Sequence, residues 1–335
     1  MTEDDIKATR QKYIDCLKPI FLPEDPVSNN IVNYFASLLR IAGMEDRGWD
    51  PFLESRAILE DLNAIMQTDL PDAKFPDKNS TNWRMGLLMY SHIVEMDAPY
   101  EVVTNLLRFH LGKGYNSNPY YIFLNSDQKK RFKRSGIYPS QKIEIIKRLS
   151  SEANLPVGDI FDDFYNGKLR NAISHSDYIL IDEEFRCRSG ISGTEAFCIP
   201  LNQLHEIITK SKIFISTFFS LETAARKLWG EQKHRAVPYD PVYKGLMEVL
   251  VSDDDLMCGF KIHWPNSSES VYRRTRDGIE MINCMLDTQN STIEFMVDLY
   301  PQEPDQFSPL VEKGGVPSYT KLEGAGVTPE WSISR

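Results

Sequence analysis

The sequence predicts a mainly α-helical chain that carries a β-hairpin and ends in a small antiparallel β unit. Three observations predict it. Apolar residues recur at helical spacing through most of the first 230 positions. The pattern turns strand-like between residues 177 and 199. Past Pro238 the composition shifts again, and short apolar runs alternate with turn residues. The 335 residues allow two domains, or one with a large appendage. With 41% hydrophobic and 26% charged residues the chain is an ordinary globular one, which excludes global disorder.

Residues 4–18 read as a first helix, and 29–43 and 51–66 as two more. In the second, Ile31, Tyr34, Phe35, Leu38 and Leu39 repeat at helical spacing. The stretch from Asp69 to Ser80, with Pro71 and Pro76, reads as a linker or long loop. A strong helix resumes over 81–95 through Trp83, Leu87, Leu88, Tyr90 and Ile93. Pro99 opens the next, to about residue 111, where Gly112 and Gly114 stop it. After a loop at 113–126, the basic run 127–134 precedes a helix at 139–153, and Pro156 starts another that runs to His175. Tyr178–Ile181 and Phe185–Arg188, a turn at 189–193 and Ala196–Ile199 read as a hairpin spanning 177–199. The apolar stripe Ile207, Ile208, Ile213, Phe214, Phe218 and Leu221 marks a long core-facing helix over 201–229. Segments 258–264, 270–275, 279–286 and 292–299 read as short strands, with Arg276-Asp277-Gly278 as a hairpin turn. The predicted organisation is an N-terminal helical extension (1–70), a helical domain containing the hairpin (71–237) and a β-rich unit with an irregular tail (238–335).

The formal net charge is −10. A uniformly acidic surface repels nucleic acid, so any such contact needs a local basic patch. Positions 129–170 supply one, with ten basic residues against five acidic, a local charge of +5. On charge alone the same residues also fit a solvated helix face. The five cysteines include no C-x-x-C pair, and an odd count with an acidic N-terminus points to a reducing, cytoplasmic setting. Cys187 and Cys198 either face each other across the hairpin or stand as buried free thiols, and the second is the expectation. No stretch of 18 apolar residues exists, so no membrane span is expected. Gly112-Lys113-Gly114 is too short for a phosphate loop, and no zinc-spaced Cys/His cluster, G-x-S-x-G or H-E-x-x-H occurs. No metal and no cofactor is expected.

Attention therefore falls on 159–175. On a continuous helix, Phe161, Phe164, Tyr165, Leu169, Ala172 and Ile173 share a core-facing arc. Arg170, Asn171, Ser174 and His175 fall on the other side, with Asp163 and Gly167 on the strip of Arg170 and Ser174. The small residues Gly167 and Ser174 would let a second helix approach closely. Arg170 and His175, five residues apart, diverge by roughly 140° on an ideal helix. They meet only if the helix ends near Ser174, or if a second copy brings its own pair across a two-fold axis.

The string Leu169-Arg170-Asn171-Ala172-Ile173-Ser174-His175-Ser176-Asp177-Tyr178, at the end of an amphipathic helix, resembles the signature of the HEPN superfamily. The resemblance spans about residues 81–230. It implies an antiparallel helical bundle, a homodimer formed through the Gly167/Arg170/Ser174 face, and endoribonuclease activity without metal. It casts His175 as acid or base, since imidazole titrates near neutral pH. Arg170 would hold the scissile phosphate, and Asn171 would orient His175 or contact the phosphate. An acidic residue from an earlier helix commonly joins such sites. Glu95 is the candidate, with His92 second. The products would be a 2′,3′-cyclic phosphate and a 5′-hydroxyl. RNA would be gathered by Lys129, Lys130, Arg131, Lys133, Arg134 and Lys168. Such proteins act as toxins or antiviral effectors, and a protein regulator is a further expected partner. A toxin subgroup carries a modifiable Tyr two residues after the His; here that place is Asp177 and the Tyr is Tyr178, which puts that route in doubt.

The competing reading is structural. His175 then caps the helix C-terminus, Arg170 pairs with Asp163 or an acid of a neighbouring helix, and Glu95 is solvated. The domain would be a non-catalytic module that binds RNA, nucleotide or a protein, since fold does not fix function.

Overall fold

A computed structural model gives the fold. It describes residues 1–24, 31–40, 50–71, 74–75, 77–181, 183–188, 195–231, 236–238, 246–263, 269–275, 278–287, 292–295, 318–319 and 329–330. The side chains of 131–135, 236–238, 246 and 275, and those from 284 onward, lie outside that description. The described chain is mainly α. In order it forms α1 (Glu3–Phe21), α2 (Ile31–Leu39), α3 (Pro51–Gln67), α4 (Lys78–Glu95), α5 (Asp97–His110), α6 (Ser126–Ser135), α7 (Pro139–Glu152), α8 (Gly167–Ser174) and α9 (Leu201–Gly230). Strands β1 (Tyr178–Ile181), β2 (Glu184–Cys187) and β3 (Phe197–Pro200) lie between α8 and α9. After α9 come β4 (Ala236–Pro238), β5 (Leu246–Val251), β6 (Met257–His263), β7 (Glu269–Thr275), β8 (Gly278–Ile282), β9 (Cys284–Asp287) and β10 (Thr292–Phe295). Short 3₁₀ helices occupy Tyr121–Phe123 and Gly158–Asp163. Two compact units divide the chain. The first comprises Met1–Lys18, Pro51–Tyr100 and Tyr120–Phe219, and the second Pro19–Asp50, Glu101–Pro119 and Ser220–Arg335.

In the first unit, local signals set each helix boundary. Asp77 caps α4 by accepting the Ser80 N–H at 2.9 Å. Met96 turns extended and ends α4. Pro99 then sits in the first turn of α5, where its missing N–H costs nothing. Pro139 opens α7, and the Gln141 side chain reaches back to the Tyr138 N–H at 3.3 Å. The core is aromatic: Tyr100 stacks on Phe161 at 5.6 Å, Phe164 stacks on Phe214 at 5.1 Å, and Phe161 meets Phe214 edge-on at 5.3 Å. Each such ring, fully buried, contributes about 1.5–3 kcal/mol.

The helix expected from Pro156 to His175 is interrupted. Residues 158–163 wind as 3₁₀, Phe164 and Asn166 leave helical geometry, and α8 starts afresh at Gly167. Two contacts hold the break. The Tyr90 hydroxyl accepts the Asn166 N–H at 3.0 Å and donates to the Phe164 carbonyl at 3.3 Å. Asn166 then caps α8 by accepting the Leu169 N–H at 3.0 Å. Gly158 permits the 3₁₀ segment to lie against α7, because a Cβ there would stand 2.9 Å from the Lys147 Cα. The break removes Asp163 from the strip of Arg170; Asp163 pairs instead with Lys12 at 2.6 Å.

The expected hairpin is a three-stranded antiparallel sheet in the order β1-β2-β3, because 178–181 and 184–187 pair with each other. Cys187 registers with Phe197, and Cys198 with Arg186. Adjacent positions on one strand pair point to opposite faces, so the two thiols do not face each other. Cys187 is buried and Cys198 exposed, which corrects the expectation that both are buried. The expected turn at 189–193 lies outside the described residues. The basic run, read only as preceding a helix, is itself helix α6.

The second unit contains α2 and the five-stranded antiparallel sheet β4-β5-β6-β7-β8. Tyr34, Phe35, Phe109, Trp229 and Phe260 pack as its aromatic core, with Phe35 edge-on to Trp229 at 5.0 Å. The buried Arg274 donates to Asp50 at 2.8 Å and to the Leu39 carbonyl at 3.1 Å. Arg40 lies 3.5 Å from both Asp50 and Glu101. Of the expected strands, 258–264 and 270–275 correspond to β6 and β7, while 279–286 divides at Asn283 into β8 and β9. Strands β4 and β5 had no counterpart in the reading. The ends of the helix expected at 29–43, the turn residues 276–277 and most of the tail lie outside the described residues.

Candidate functional site

Arg170 is the centre of a polar cluster in the first unit. It stands one turn into α8, half-buried. Its Nε donates to Glu95 Oε1, on the last residue of α4, and its Nη1 donates to Asn171 Oδ1 at 3.1 Å. The Glu95 contact pushes the guanidinium pKa still higher, so Arg170 is a permanent cation. The α4 terminus at Met96 and the restart of α8 after Asn166 are what bring Glu95 and Arg170 together.

A tyrosine lies beside this cluster that the sequence did not assign to it. Tyr165, placed on the core arc by helical spacing, lies in the break before α8. Its phenol pKa is raised, first by burial, with the nearby Arg170 charge pulling the other way. Its hydroxyl is 3.7 Å from where a Cβ on Gly167 would stand. The Asn166-Gly167 pair was the local signal for the break, and hence for the position of Tyr165.

His175 closes α8. Its N–H donates to the Asn171 carbonyl at 3.0 Å. The Ser176 N–H then reaches Ile173 O and the Asp177 N–H reaches Ala172 O, both at 3.0 Å, with Ser176 left-handed at φ 54°. This is a Schellman motif with His175 as the C-cap. The helix thus ends at Ser174, the condition under which Arg170 and His175 can serve one site. The imidazole is exposed, and among the described residues it has no hydrogen-bond or ion-pair partner. Asn171 bonds with Arg170 rather than with His175.

The remaining candidates fall elsewhere. His92 Nε2 lies 3.0 Å from the Ser55 carbonyl, in contact with α3. Lys168 pairs with Glu195 at 3.2 Å, and Lys130 with Asp127 at 3.7 Å. Lys129 sits over the Tyr121 ring at 4.8 Å. The side chains of Arg131, Lys133 and Arg134 lie outside the described residues. Among the described residues no group of three His, Cys, Asp or Glu could hold a metal ion, and no helix is long and apolar enough to cross a membrane. No protein-family model, no curated protein and no solved structure matches the chain.

Proposed function

We propose that the chain is a metal-independent endoribonuclease of HEPN type, acting through Arg170 and His175. The observation that carries this reading is the division of labour along α8. Arg170 is a cation held in place from two sides, while His175, at the end of the same helix, presents an exposed imidazole with no partner among the described residues. A held guanidinium suits a scissile phosphate, which it can stabilise as charge develops. An exposed imidazole suits proton transfer to and from the ribose 2′-hydroxyl and the leaving oxygen. Glu95 and Asn171 serve as positioning residues for Arg170. The chemistry yields a 2′,3′-cyclic phosphate and a 5′-hydroxyl, and fits an effector of toxin or antiviral type. Two copies joined through the Gly167/Arg170/Ser174 face would set the His175 of each near the Arg170 of the other.

A second reading has its own support. Glu95 and Asn171 already satisfy much of Arg170, and Lys130 and Lys168 are paired with acids, as in a binding module without catalysis. RNA cleavage with EDTA present decides between them. Wild type should cleave, and His175→Ala and Arg170→Ala should each lose at least about a hundredfold in rate. A folded wild type that leaves diverse RNAs intact supports the binding module.

A further inference from the structure

Glu95 and Asn171 take up two of the three guanidinium nitrogens of Arg170, Nε and Nη1. Among the described residues the third, Nη2, has no hydrogen-bond partner. The guanidinium is fixed in direction and keeps donors to spare. One turn earlier on the same face of α8 stands Gly167, with the two Cβ positions roughly 5–6 Å apart. A Cβ on Gly167 would stand 3.7 Å from the Tyr165 hydroxyl and 3.8 Å from the edge of its ring. Apart from the helix backbone and the two chain neighbours, no other described atom comes within 4 Å of that point. Gly167 is not left-handed, and a methyl group there would meet Tyr165 at ordinary contact distance. Neither backbone conformation nor crowding within the chain therefore requires glycine at 167.

The break before α8 is what sets Tyr165 over this patch. Residues two apart on one helix do not face each other, so a continuous helix would turn Tyr165 away from Gly167. Here the Tyr90 hydroxyl bonds to Phe164 on one side of Tyr165 and to Asn166 on the other, and the Tyr165 N–H donates to the Phe161 carbonyl at 2.8 Å. The ring stays half-buried, and its hydroxyl reaches the bare first turn of α8.

A phosphodiester has two unesterified oxygens and takes hydrogen bonds from more than one side, from tyrosine hydroxyls as well as from arginine. The Tyr165 hydroxyl and Arg170 Nη2 are two donors that flank one open patch. We propose that they hold a single phosphodiester between them, with Gly167 as the floor beneath it. Tyr165 is then a residue that touches substrate, and the glycine is there to leave room. This rests on the reading of the site as one for RNA, and adds to it a second phosphate donor. The raised phenol pKa keeps the hydroxyl protonated, and so a donor, throughout the neutral range.

Binding by the full chain tests this separately from cleavage. The probe is a fluorescent deoxyoligonucleotide read by anisotropy, which stays intact because it has no 2′-hydroxyl. Tyr165→Phe removes the hydroxyl alone and should weaken binding about tenfold. Arg170→Gln should weaken it at least as much. Tyr165→Phe added to Arg170→Gln should cost little more, because one phosphate loses its place only once. Gly167→Ala fills the patch without straining the backbone, so it should weaken binding while its unfolding midpoint stays at or above that of wild type. Circular dichroism checks that each variant is folded. Tyr165→Phe or Gly167→Ala binding as wild type does overturns the shared phosphate, as do losses that add in the double variant, or a wild type that binds no probe. If wild type cleaves RNA and Tyr165→Phe binds and cleaves equally well, the shared phosphate falls and the ribonuclease stands. If hydroxyl and guanidinium act as one on binding and nothing is cleaved, the ribonuclease falls and the shared phosphate stands.

Discussion

Arg170 and His175 differ most in what holds them, and that difference is measurable without any substrate. Arg170 is bonded to Glu95 and Asn171, so truncating it strands a carboxylate. Both partners of the ion pair keep water contact, so the cost is small, about 1 kcal/mol after allowing for solvent screening. The His175 side chain has no partner among the described residues, and its capping bonds are made by the backbone, which alanine retains. His175→Ala should therefore stay within about 0.5 kcal/mol of wild type in urea unfolding. A loss of several kcal/mol would mean that the imidazole is a structural cap, and would turn the site reading toward the binding module. The paired outcome, a stable variant without activity, is what a group kept for chemistry produces.

At the scale of elements, the break between the 3₁₀ segment and α8 is the feature on which the site depends. Asn166→Ala removes the cap and should cost about 1 kcal/mol. Tyr90→Phe leaves the Asn166 N–H and the Phe164 carbonyl without their hydroxyl partner and should cost about 1–3 kcal/mol. Both should also move Tyr165, whose altered environment its fluorescence or proton shifts would report. Wild-type unfolding midpoints in both would show that the break is held by packing alone. The break was not legible because the apolar residues 161, 164, 165 and 169 fit one continuous helix and an interrupted one equally well. Only Asn166-Gly167 marked the restart. The limits of α3, α5, α7 and α9 were legible to within a few residues, since long apolar stripes bounded by Pro or Gly leave little choice. Helix α6 was missed because its one apolar residue, Phe132, makes no stripe, while the capping residue Asn125 lies before the basic run. Strand β5 was missed because Leu246–Val251 has a single polar residue, Glu248, and so lacks the alternation that identifies a half-buried strand. Glu95 was nominated through the resemblance, and the fold brings it to Arg170; Tyr165 gave no signal because a tyrosine in an amphipathic helix reads as core.

Among the described residues of both units, tyrosine is the ionisable residue that burial perturbs most often. Tyr90 and Tyr100 in the first unit, and Tyr34 and Tyr272 in the second, are buried, and burial is the first cause of the raised pKa at each. Tyr272 is pushed up to about 12, with Arg274 pulling the other way. The sign follows from linkage. A phenol whose folded pKa lies above its ordinary value of about 10 holds its proton more tightly when folded. Its contribution is complete below pH 10 and is lost as pH rises from there toward the folded value, because the unfolded chain ionises first. Several such phenols acting together make the loss steep. Phenolate absorbance from these side chains should therefore appear in one cooperative step, above pH 10, together with the loss of helical circular dichroism. It should not follow the gradual curve of the exposed tyrosines. If phenolate absorbance for all 15 tyrosines were complete while the helical signal stayed native, the buried rings would be open to water and the aromatic cores described for the two units would be wrong.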